Sequence, residues 1–265
     1  MNTIIHGDCL EVMPTLPDHS IDMILCDLPY GTTACTWDIV IPFEPLWTQY
    51  KRLIKRNGAI VLFGSEPFSS LLRLNNLDWY KYDWVWKKDK SANFGVAKFR
   101  PLNITENILI FSNGTNCYNP QMWDSGYKSN KGGKNSIIGG VYGTNGFKWG
   151  YRDTTEKFPV NVIDCPTPKH NDLNGTLHPT QKPIALFSYL IRTYTNPGEL
   201  VLDNCAGSGS TAIAAIETGR NWICIEKDTR YFEVASHRIE ERLSQPFLIE
   251  PTKEEETKPI QDSLL

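Results

Sequence analysis

Residues 201–212 read VLDNCAGSGSTA, and this stretch decides the fold of the chain. Its apolar start predicts a short buried strand, its glycines predict a tight turn, and the residues from Ser210 onward predict a helix. Gly207, Gly209 and Ala212 fit the G-x-G-x-x-A fingerprint, in which glycines let the backbone approach a bound nucleotide. Glu226 ends the next apolar run. The fingerprint places an acid for ribose hydroxyls about 20 residues after the glycines, which is where Glu226 lies. The pattern predicts a parallel α/β sheet with a nucleoside-cofactor site, and it leaves NAD and S-adenosylmethionine open.

A second informative stretch lies near the start of the chain. Residues 27–31 read DLPYG, and they follow the apolar run 21–26, which is typical of a buried parallel strand. A carboxylate, a rigid proline and an aromatic ring therefore meet at the carboxyl end of a strand, where open α/β sheets bind their ligands. This combination suits a site that holds a planar base by its exocyclic amine.

Composition indicates an ordinary globular enzyme. The 265 residues are 40% hydrophobic and 22% charged, which fits one large α/β domain with insertions or two smaller domains. No apolar run is long enough to cross a bilayer and no signal-peptide pattern is seen, so we expect a cytoplasmic protein without a membrane partner. Seven cysteines without a C-x-x-C pair favour neither a disulfide framework nor a metal site.

The charge is unevenly distributed along the chain. The net charge is −3, yet residues 79–157 carry 12 Lys/Arg against 6 Asp/Glu, whereas residues 240–265 carry 7 acids and 3 bases. Residues 113–176 combine glycine, asparagine and lysine with many aromatic residues and show little periodicity. Lysines among aromatic side chains suggest contact with a polyanion or with bases. Ordinary surface lysines and an irregular subdomain with its own small core are the alternatives.

Three motifs follow one another in a characteristic order. They are DLPY at 27–30, HPTQKP at 178–183 and DNCAGSG at 203–209. In this order they resemble the β group of amino-DNA methyltransferases, in which a catalytic D-P-P-Y-type motif precedes the target-recognition region and the cofactor glycine motif comes last. The resemblance extends over roughly residues 3–243.

Two departures from that group are visible. Leu28 stands where the first proline of the catalytic motif is common, and Asn204 and Cys205 stand where the glycine motif often has proline and phenylalanine. Asp27, Tyr30 and the glycines are retained, so neither change removes a group that the chemistry needs.

The resemblance implies a fold and a domain division. The fold is a permuted S-adenosylmethionine-dependent methyltransferase (Rossmann-like) fold, an α/β structure with a mostly parallel seven-stranded sheet and helices on both faces. Residues 1–112 would form the catalytic half of the methyltransferase domain and 113–176 a target-recognition insertion. Residues 177–243 would form the cofactor-binding half, and 244–265 a disordered acidic tail.

The resemblance also implies roles for particular residues. Catalysis is expected from Asp27, Pro29 and Tyr30. The residues expected to hold S-adenosylmethionine are Asp8, Asp27, Thr180, Gln181, Lys182, Asp203, Cys205, Gly207, Gly209 and Glu226. The basic residues expected to contact double-stranded DNA are Lys88, Lys90, Lys128, Lys131, Lys134, Lys148 and Arg152.

The reaction that the resemblance implies is methylation of the exocyclic N6 amine of adenine in DNA. The target base would be flipped out of the duplex and methylated by direct in-line transfer. The N4 amine of cytosine is the nearest alternative, although enzymes of that type usually carry serine at the position of Asp27. An NAD-dependent oxidoreductase and a non-catalytic DNA-binding protein are more distant alternatives. Members of this group can act as homodimers, within restriction-modification systems or alone.

Overall fold

The computed structural model describes residues 2–33, 35, 38–91, 94–127, 155–168 and 181–245. The strands in chain order are β1 Thr3–His6, β2 Ile21–Cys26, β3 Ile54–Gly64, β4 Tyr80–Lys87, β5 Thr105–Phe111, β6 Trp123–Asp124, β7 Glu156–Lys157, β8 Val162–Asp164, β9 Leu200–Asp203 and β10 Asn221–Glu226. The α-helices are α1 Cys9–Val12, α2 Phe43–Leu53, α3 Phe68–Asn75, α4 Ile184–Tyr194, α5 Ser210–Glu217 and α6 Thr229–Ser244. None of these helices is long and apolar enough to cross a membrane.

The main sheet runs in the order β1-β10-β9-β2-β3-β5-β4-β8. Strands β1, β10, β9, β2 and β3 run parallel to one another. Strand β5 runs antiparallel between β3 and β4, and β8 is parallel to β4. The predicted α/β fold with a mostly parallel sheet is confirmed. The difference is an eighth strand, β8, which comes from the predicted insertion and extends the edge of the sheet beyond β4.

Both faces of the sheet are covered, which explains the nearly continuous apolar strands. Successive residues of β2 point to opposite sides: Met23 and Leu25 belong to one buried cluster, and Ile24 and Cys26 belong to the other. Side chains of α4, α5 and α6 contribute to the first cluster, and side chains of α1, α2 and α3 to the second. The sheet is therefore buried between two helical layers.

The sequence pattern misplaces the start of β3. Residues 56–58, which read RNG, predict the end of a helix, but α2 ends at Leu53 and β3 begins directly at Ile54. The pairing of β3 with β2 jumps from Ile21↔Ile54 to Met23↔Ala59. A Cβ on Gly58 would lie 2.7 Å from the carbonyl oxygen of Asp22, so the glycine permits a close backbone approach within an irregular strand.

The predicted insertion is described only in part. Residues 113–127 and 155–168 form the small antiparallel pair β6–β7 and the edge strand β8. Val162 of β8 pairs with Val85 of β4, so this part of the insertion joins the main sheet. Residues 128–154 and 169–180 and almost all of the predicted acidic tail lie outside the described residues.

Candidate active site

The two informative sequence motifs meet at one edge of the sheet. Strand β2, which ends just before Asp27, is the parallel neighbour of β9, which leads into the glycine turn, with Met23 opposite Val201. Both motifs line a single cavity of about 1400 Å³. Small-molecule pockets usually measure about 300–1,000 Å³, so this cavity has room for a cofactor and part of a second molecule.

Asp27 lies in a closed ring of polar contacts. Its Oδ1 accepts a hydrogen bond from the Tyr30 hydroxyl at 2.8 Å, and its Oδ2 accepts one from Lys182 Nζ at 2.7 Å. The same hydroxyl lies 2.7 Å from Glu106 Oε1, and Lys182 Nζ lies 2.9 Å from that oxygen. Lys88 Nζ forms an ion pair with the other oxygen of Glu106, Oε2, at 2.6 Å. Two carboxylates and two ammonium groups thus balance each other at the base of the cavity.

Burial and neighbouring charges shift the pKa values in this ring in opposite directions. Burial, with a contribution from Glu106, raises the pKa of Asp27 even though Lys182 lowers it. Burial also opposes ionisation of Glu106, but Lys182 and Lys88 outweigh it and lower the pKa of Glu106 to about 2. The pKa of Lys182 is raised despite its burial, because Asp27 and Glu106 both favour its charged form. Asp27 is therefore the carboxylate that most readily takes up a proton.

The catalytic motif is anchored by its neighbours. Leu28 is only 3% exposed and packs in the cluster that contains α1, α2 and α3, so its side chain serves the core. The Tyr30 ring stacks on Phe68 with 4.9 Å between ring centroids. Pro29, between them, lines the cavity. The leucine that departs from the common motif is thus a buried member of this cluster.

Asp38 fixes the loop that follows Tyr30. Its carboxylate accepts hydrogen bonds from the backbone N–H groups of Gly31 at 2.8 Å, Thr32 at 2.9 Å and Thr33 at 2.7 Å. Burial raises the pKa of Asp38, but these bonds and the Thr33 side chain outweigh it, so the pKa lies below its ordinary value. Gly31 has a φ of 68°, which favours glycine at this turn.

The glycine turn adopts the geometry that its sequence predicts. Gly207 and Gly209 have φ values of 53° and 79°, in the left-handed region that glycine tolerates. Buried Arg238 of α6 donates to the Ser208 carbonyl and holds the turn from behind. Ser210 Oγ, at the start of α5, lines the cavity and has no hydrogen-bond partner among the described residues.

Asp203 is a buried hydrogen-bond acceptor for the glycine turn and the start of α5. It is 3% exposed, and its carboxylate accepts hydrogen bonds from the Cys205 N–H at 3.0 Å and from the Thr211 hydroxyl. Burial raises the pKa of Asp203 to about 6. The backbone and the side chain of the turn therefore already use both oxygens of this predicted cofactor residue. Cys205, the next predicted residue, is partly exposed and lines the cavity.

Two further acids, Glu226 and Asp8, also line the cavity. Glu226 accepts hydrogen bonds from the Gly207 N–H at 2.7 Å and the Asp228 N–H at 2.9 Å, and burial raises its pKa. Asp8 caps α1 by accepting from Leu10 N–H at 2.9 Å and pairs with Lys227 at 2.8 Å. Both acids line the same cavity as the glycine turn, as the sequence predicts.

The remaining predicted residues divide into two groups. Gln181 and Lys90 line the cavity. Lys88 also does so, but its ammonium group is paired with Glu106, and it does not face outward as expected for a phosphate contact. The predicted residues that lie outside the described part of the chain are Thr180, Lys128, Lys131, Lys134, Lys148 and Arg152.

Glu106 and Asp38 are site residues that the sequence analysis did not identify. Glu106 opens the apolar run of β5, and an acid at the start of a buried strand is the one local signal of its role. It contacts Tyr30 across 76 residues of sequence, a pairing that no local pattern reveals. Asp38 lies after a short loop without periodicity, and its burial is apparent only in the folded chain.

Fold and site together define a class of protein. A mostly parallel sheet carries a glycine turn with an acid at the end of the next strand, and beside it a carboxylate and a tyrosine at a second strand end. This arrangement defines a Rossmann-like enzyme of the group-transfer type. The chain belongs to the DNA methylase family N6_N4_Mtase, whose model matches residues 21–237.

Named relatives agree with this membership. The chain is 31% identical to Type II methyltransferase M.HinfI of Haemophilus influenzae, over 94% of this chain and 71% of the relative. It is 32% identical to DNA adenine methyltransferase YhdJ of Escherichia coli (strain K12), over 90% of this chain and 82% of the relative. A solved structure of the M1.HpyAVI–SAM complex matches with a TM-score of 0.61 and 25% identity, covering 92% of this chain and 100% of that one.

A further solved structure shows the fold alone. The PvuII DNA methyltransferase, described as cytosine-N4-specific, matches with a TM-score of 0.64 at 16% identity, covering 89% of this chain and 86% of that one. Its amine specificity is not transferable at this identity. The distant alternative of an NAD-dependent oxidoreductase does not fit the family to which the chain belongs.

Proposed function

We propose that the chain transfers a methyl group from S-adenosylmethionine to the exocyclic N6 amine of adenine in double-stranded DNA. The observation that carries the proposal is the shared cavity, which is lined both by Asp27, directly after β2, and by the glycine turn that follows β9. YhdJ, a relative over most of its length, is named as a DNA adenine methyltransferase.

The cavity wall fits S-adenosylmethionine. The turn Gly207–Ser210 offers its backbone at the start of α5, and the Ser210 hydroxyl is buried without a partner among the described residues. Glu226 retains lone pairs that could accept ribose hydroxyls beside its two backbone bonds. Asp8 would lie near the adenine of the cofactor, and Gln181 near its methionine end. When bound, S-adenosylmethionine supplies an electrophilic methyl group on a sulfonium sulfur.

The protein has to make a weak nucleophile reactive. The lone pair of the adenine N6 amine is delocalised into the ring, so the amine must be drawn toward tetrahedral geometry. Asp27 accepts one amine hydrogen, and the carbonyl oxygen of Leu28 or Pro29 can accept the other. Positioning and fixed electrostatics then supply most of the rate enhancement.

The atoms and charges of the transfer balance without a metal or a covalent enzyme intermediate. A bond forms between N6 and the methyl carbon as the bond between that carbon and sulfur breaks. The proton lost by the amine passes to the carboxylate of Asp27, whose pKa is raised by burial, and from there to solvent. A carboxylate with a raised pKa suits a base that must accept this proton and then release it.

DNA has to present the base outside the helix, because the N6 atom in a duplex is out of reach. Tyr30 lies at the base of the cavity, where it can stack on the flipped adenine. Lys90 at the cavity and the basic residues within 113–176 would hold the phosphates. In this proposal residues 1–112 and 177–243 form one methyltransferase domain, and 113–176 provide target recognition.

The experiment is to identify the methylated nucleoside. Purified protein, S-adenosylmethionine with a labelled methyl group and unmethylated duplex DNA are incubated, and the DNA is digested to nucleosides and separated. N6-methyl-2′-deoxyadenosine is expected, and Asp27→Ala should abolish its formation while cofactor still binds in calorimetry. Asp18→Ala, at an exposed acid paired with Arg52, serves as the matched control. Labelled N4-methyl-2′-deoxycytidine, or activity of Asp27→Ala near that of the wild type, would refute the proposal.

The location and assembly of the protein are part of the same proposal. We place it in the cytoplasm of a bacterium, or of a host cell if the chain is phage-encoded, because DNA and S-adenosylmethionine are both present there. We also propose that it can form a homodimer. Light scattering with and without duplex DNA measures the mass, and a monomer under both conditions would refute the dimer.

A further inference from the structure

Glu106 shares the hydrogen-bond donors of Asp27. In the described part of the chain, two donors reach the Asp27 carboxylate from side chains, the Tyr30 hydroxyl at 2.8 Å and Lys182 Nζ at 2.7 Å. Each of them also reaches Glu106 Oε1, at 2.7 Å and 2.9 Å respectively. The side chain of Glu106 is 3% exposed, so it meets these donors inside the protein and without competition from bulk water.

We propose that Glu106 is a positioning residue for methyl transfer. It accepts hydrogen bonds from the Tyr30 hydroxyl and the Lys182 ammonium, and Asp27 thereby stays free to accept a hydrogen bond from the amine of the target base. Lys182 is the second member of this device, and its positive charge favours the ionised form of Asp27. The inference rests on the proposed function, because it assigns Asp27 the role of amine acceptor.

Proton counting supports this division of roles. The Tyr30 hydroxyl has one proton and two carboxylate neighbours, so at any moment one of them receives it. If Glu106 receives it, Oδ1 of Asp27 keeps its lone pairs for an external N–H donor. Lys182 has three N–H groups, so it donates to both carboxylates at once. Without the charge of Glu106, the Tyr30 hydroxyl would donate to Asp27 alone and compete with the substrate amine.

The electrostatic free energy needed to bury two carboxylates side by side also favours a functional role for Glu106. Two carboxylates beside one buried ammonium repel each other, and each must be taken out of water. Lys88 compensates the second negative charge from the cavity side, at 2.6 Å from Glu106 Oε2. Buried ionic clusters add little stability over apolar packing of similar volume. Stability alone therefore gives no reason to place Glu106 beside Asp27.

The charges around Asp27 predict opposite effects for the two partners. The titratable and charged groups that face it are Tyr30 and Cys26 from its own segment, Glu106 from β5, Lys182 before α4 and Asp203 from β9. Activity requires ionised Asp27, so the acid limb of the pH–rate profile follows the pKa of Asp27. The negative charge of Glu106 raises that pKa, and the positive charge of Lys182 lowers it. Removing the charge of Glu106 should therefore move the acid limb to lower pH, and removing the charge of Lys182 should move it to higher pH.

The experiment measures the pH dependence of single-turnover methylation at saturating S-adenosylmethionine and duplex DNA. For Glu106→Gln we expect the rate at neutral pH to fall about 10- to 100-fold, as for the loss of one hydrogen bond to a charged group. Its acid limb should move to lower pH. For Lys182→Met the limb should move to higher pH, and the double variant should lie between the two single variants. Lys182→Arg, which keeps the charge, should restore most of the wild-type limb.

Two control variants change the same residue types elsewhere. Glu217→Gln at the surface pair with Arg242 and Lys55→Met at the pair with Asp22 should leave the limb in place. Thermal melting and calorimetric binding of S-adenosylmethionine show whether each variant is folded. A folded Glu106→Gln protein with a wild-type limb and rate, or limbs that move in the same direction for both single variants, would overturn the inference.

Failure of the inference is distinguishable from failure of the proposed function. If the wild type does not methylate adenine, the proposed function is wrong. If the wild type methylates adenine and the Asp27→Ala variant does not, but the acid limb is unchanged in the Glu106 and Lys182 variants, the positioning role alone is wrong.

Discussion

Replacement of Asp203 by asparagine should stabilise the protein at neutral pH, because the wild type keeps a carboxylate ionised in the core. Burial raises the pKa of Asp203 from 3.8 to about 6 in the folded state. A group whose pKa is raised on folding favours the fold below its unfolded pKa, and this advantage is lost as pH rises through the folded pKa. The shift of about two pH units corresponds to roughly 3 kcal/mol, at about 1.4 kcal/mol per unit.

The surroundings of Asp203 can accept an amide. The carboxylate receives one hydrogen bond from the Cys205 N–H and one from the Thr211 hydroxyl. An asparagine carbonyl can accept from the same N–H, and its NH₂ can donate to the hydroxyl oxygen, which serves as donor or acceptor. The substitution therefore removes a buried charge, while the carbonyl oxygen and the amide nitrogen of the asparagine each keep a hydrogen-bond partner.

The assay is urea unfolding of wild type and Asp203→Asn between pH 4 and pH 8. The difference in unfolding free energy should be near zero at pH 4 and below, should reach about half its final value by pH 5, and should approach about 3 kcal/mol in favour of the variant at pH 8. Thr211→Val removes a donor to the carboxylate and should lose more stability at pH 8 than at pH 5. A difference between Asp203→Asn and wild type that is independent of pH, or a variant less stable at pH 8, would refute the reasoning.

Three further changes test other parts of the site. Asp38→Asn should loosen the loop after Tyr30, because the asparagine NH₂ must face at least one of the backbone N–H groups that now donate to Asp38. We expect the free energy of unfolding to fall by about 1–3 kcal/mol and proteolysis of the loop to become faster. Glu226→Gln should weaken cofactor binding in calorimetry by about 10-fold or more, since each carboxylate oxygen accepts a backbone N–H and an amide can accept only at one; unchanged affinity would contradict this role. Leu28→Ala should cost about 2–5 kcal/mol in thermal or urea unfolding because the side chain is buried, whereas a cost below about 1 kcal/mol would show that the leucine is not part of the core.

Local sequence patterns were sufficient to predict much of the fold. Strand β2 and the start of helix α5 lie at the predicted residues, because apolar runs, glycine turns and helix starts are encoded by neighbours in sequence. The irregular start of β3 was missed, since RNG commonly ends a helix and the pairing partner β2 that holds it extended lies 30 or more residues away. Strand β8 was missed because three residues carry too little periodicity to be detected.

The site was predictable only as far as its motifs are continuous. Asp27, Tyr30, the glycine turn and Glu226 could be identified from short stretches, and all of them line one cavity. The pairing of Asp27 with Lys182 could not be identified, because Lys182 lies 155 residues away in sequence. The prediction placed Lys182 at the methionine end of the cofactor, and that role stays a prediction. The structure shows its ammonium group between Asp27 and Glu106.

The adjacency of β2 and β9 has a consequence for how the protein is made. Strand β2 pairs with β3 soon after synthesis, but its other neighbour, β9, begins at Leu200, about 175 residues after β2 ends. At about 5–20 residues per second, a ribosome needs roughly 10–35 s to supply it. During that interval the central strand of the future sheet has an unpaired apolar edge, which is the kind of surface that chaperones bind and that promotes aggregation. The nascent chain is therefore most vulnerable while the two halves of its active site are still apart.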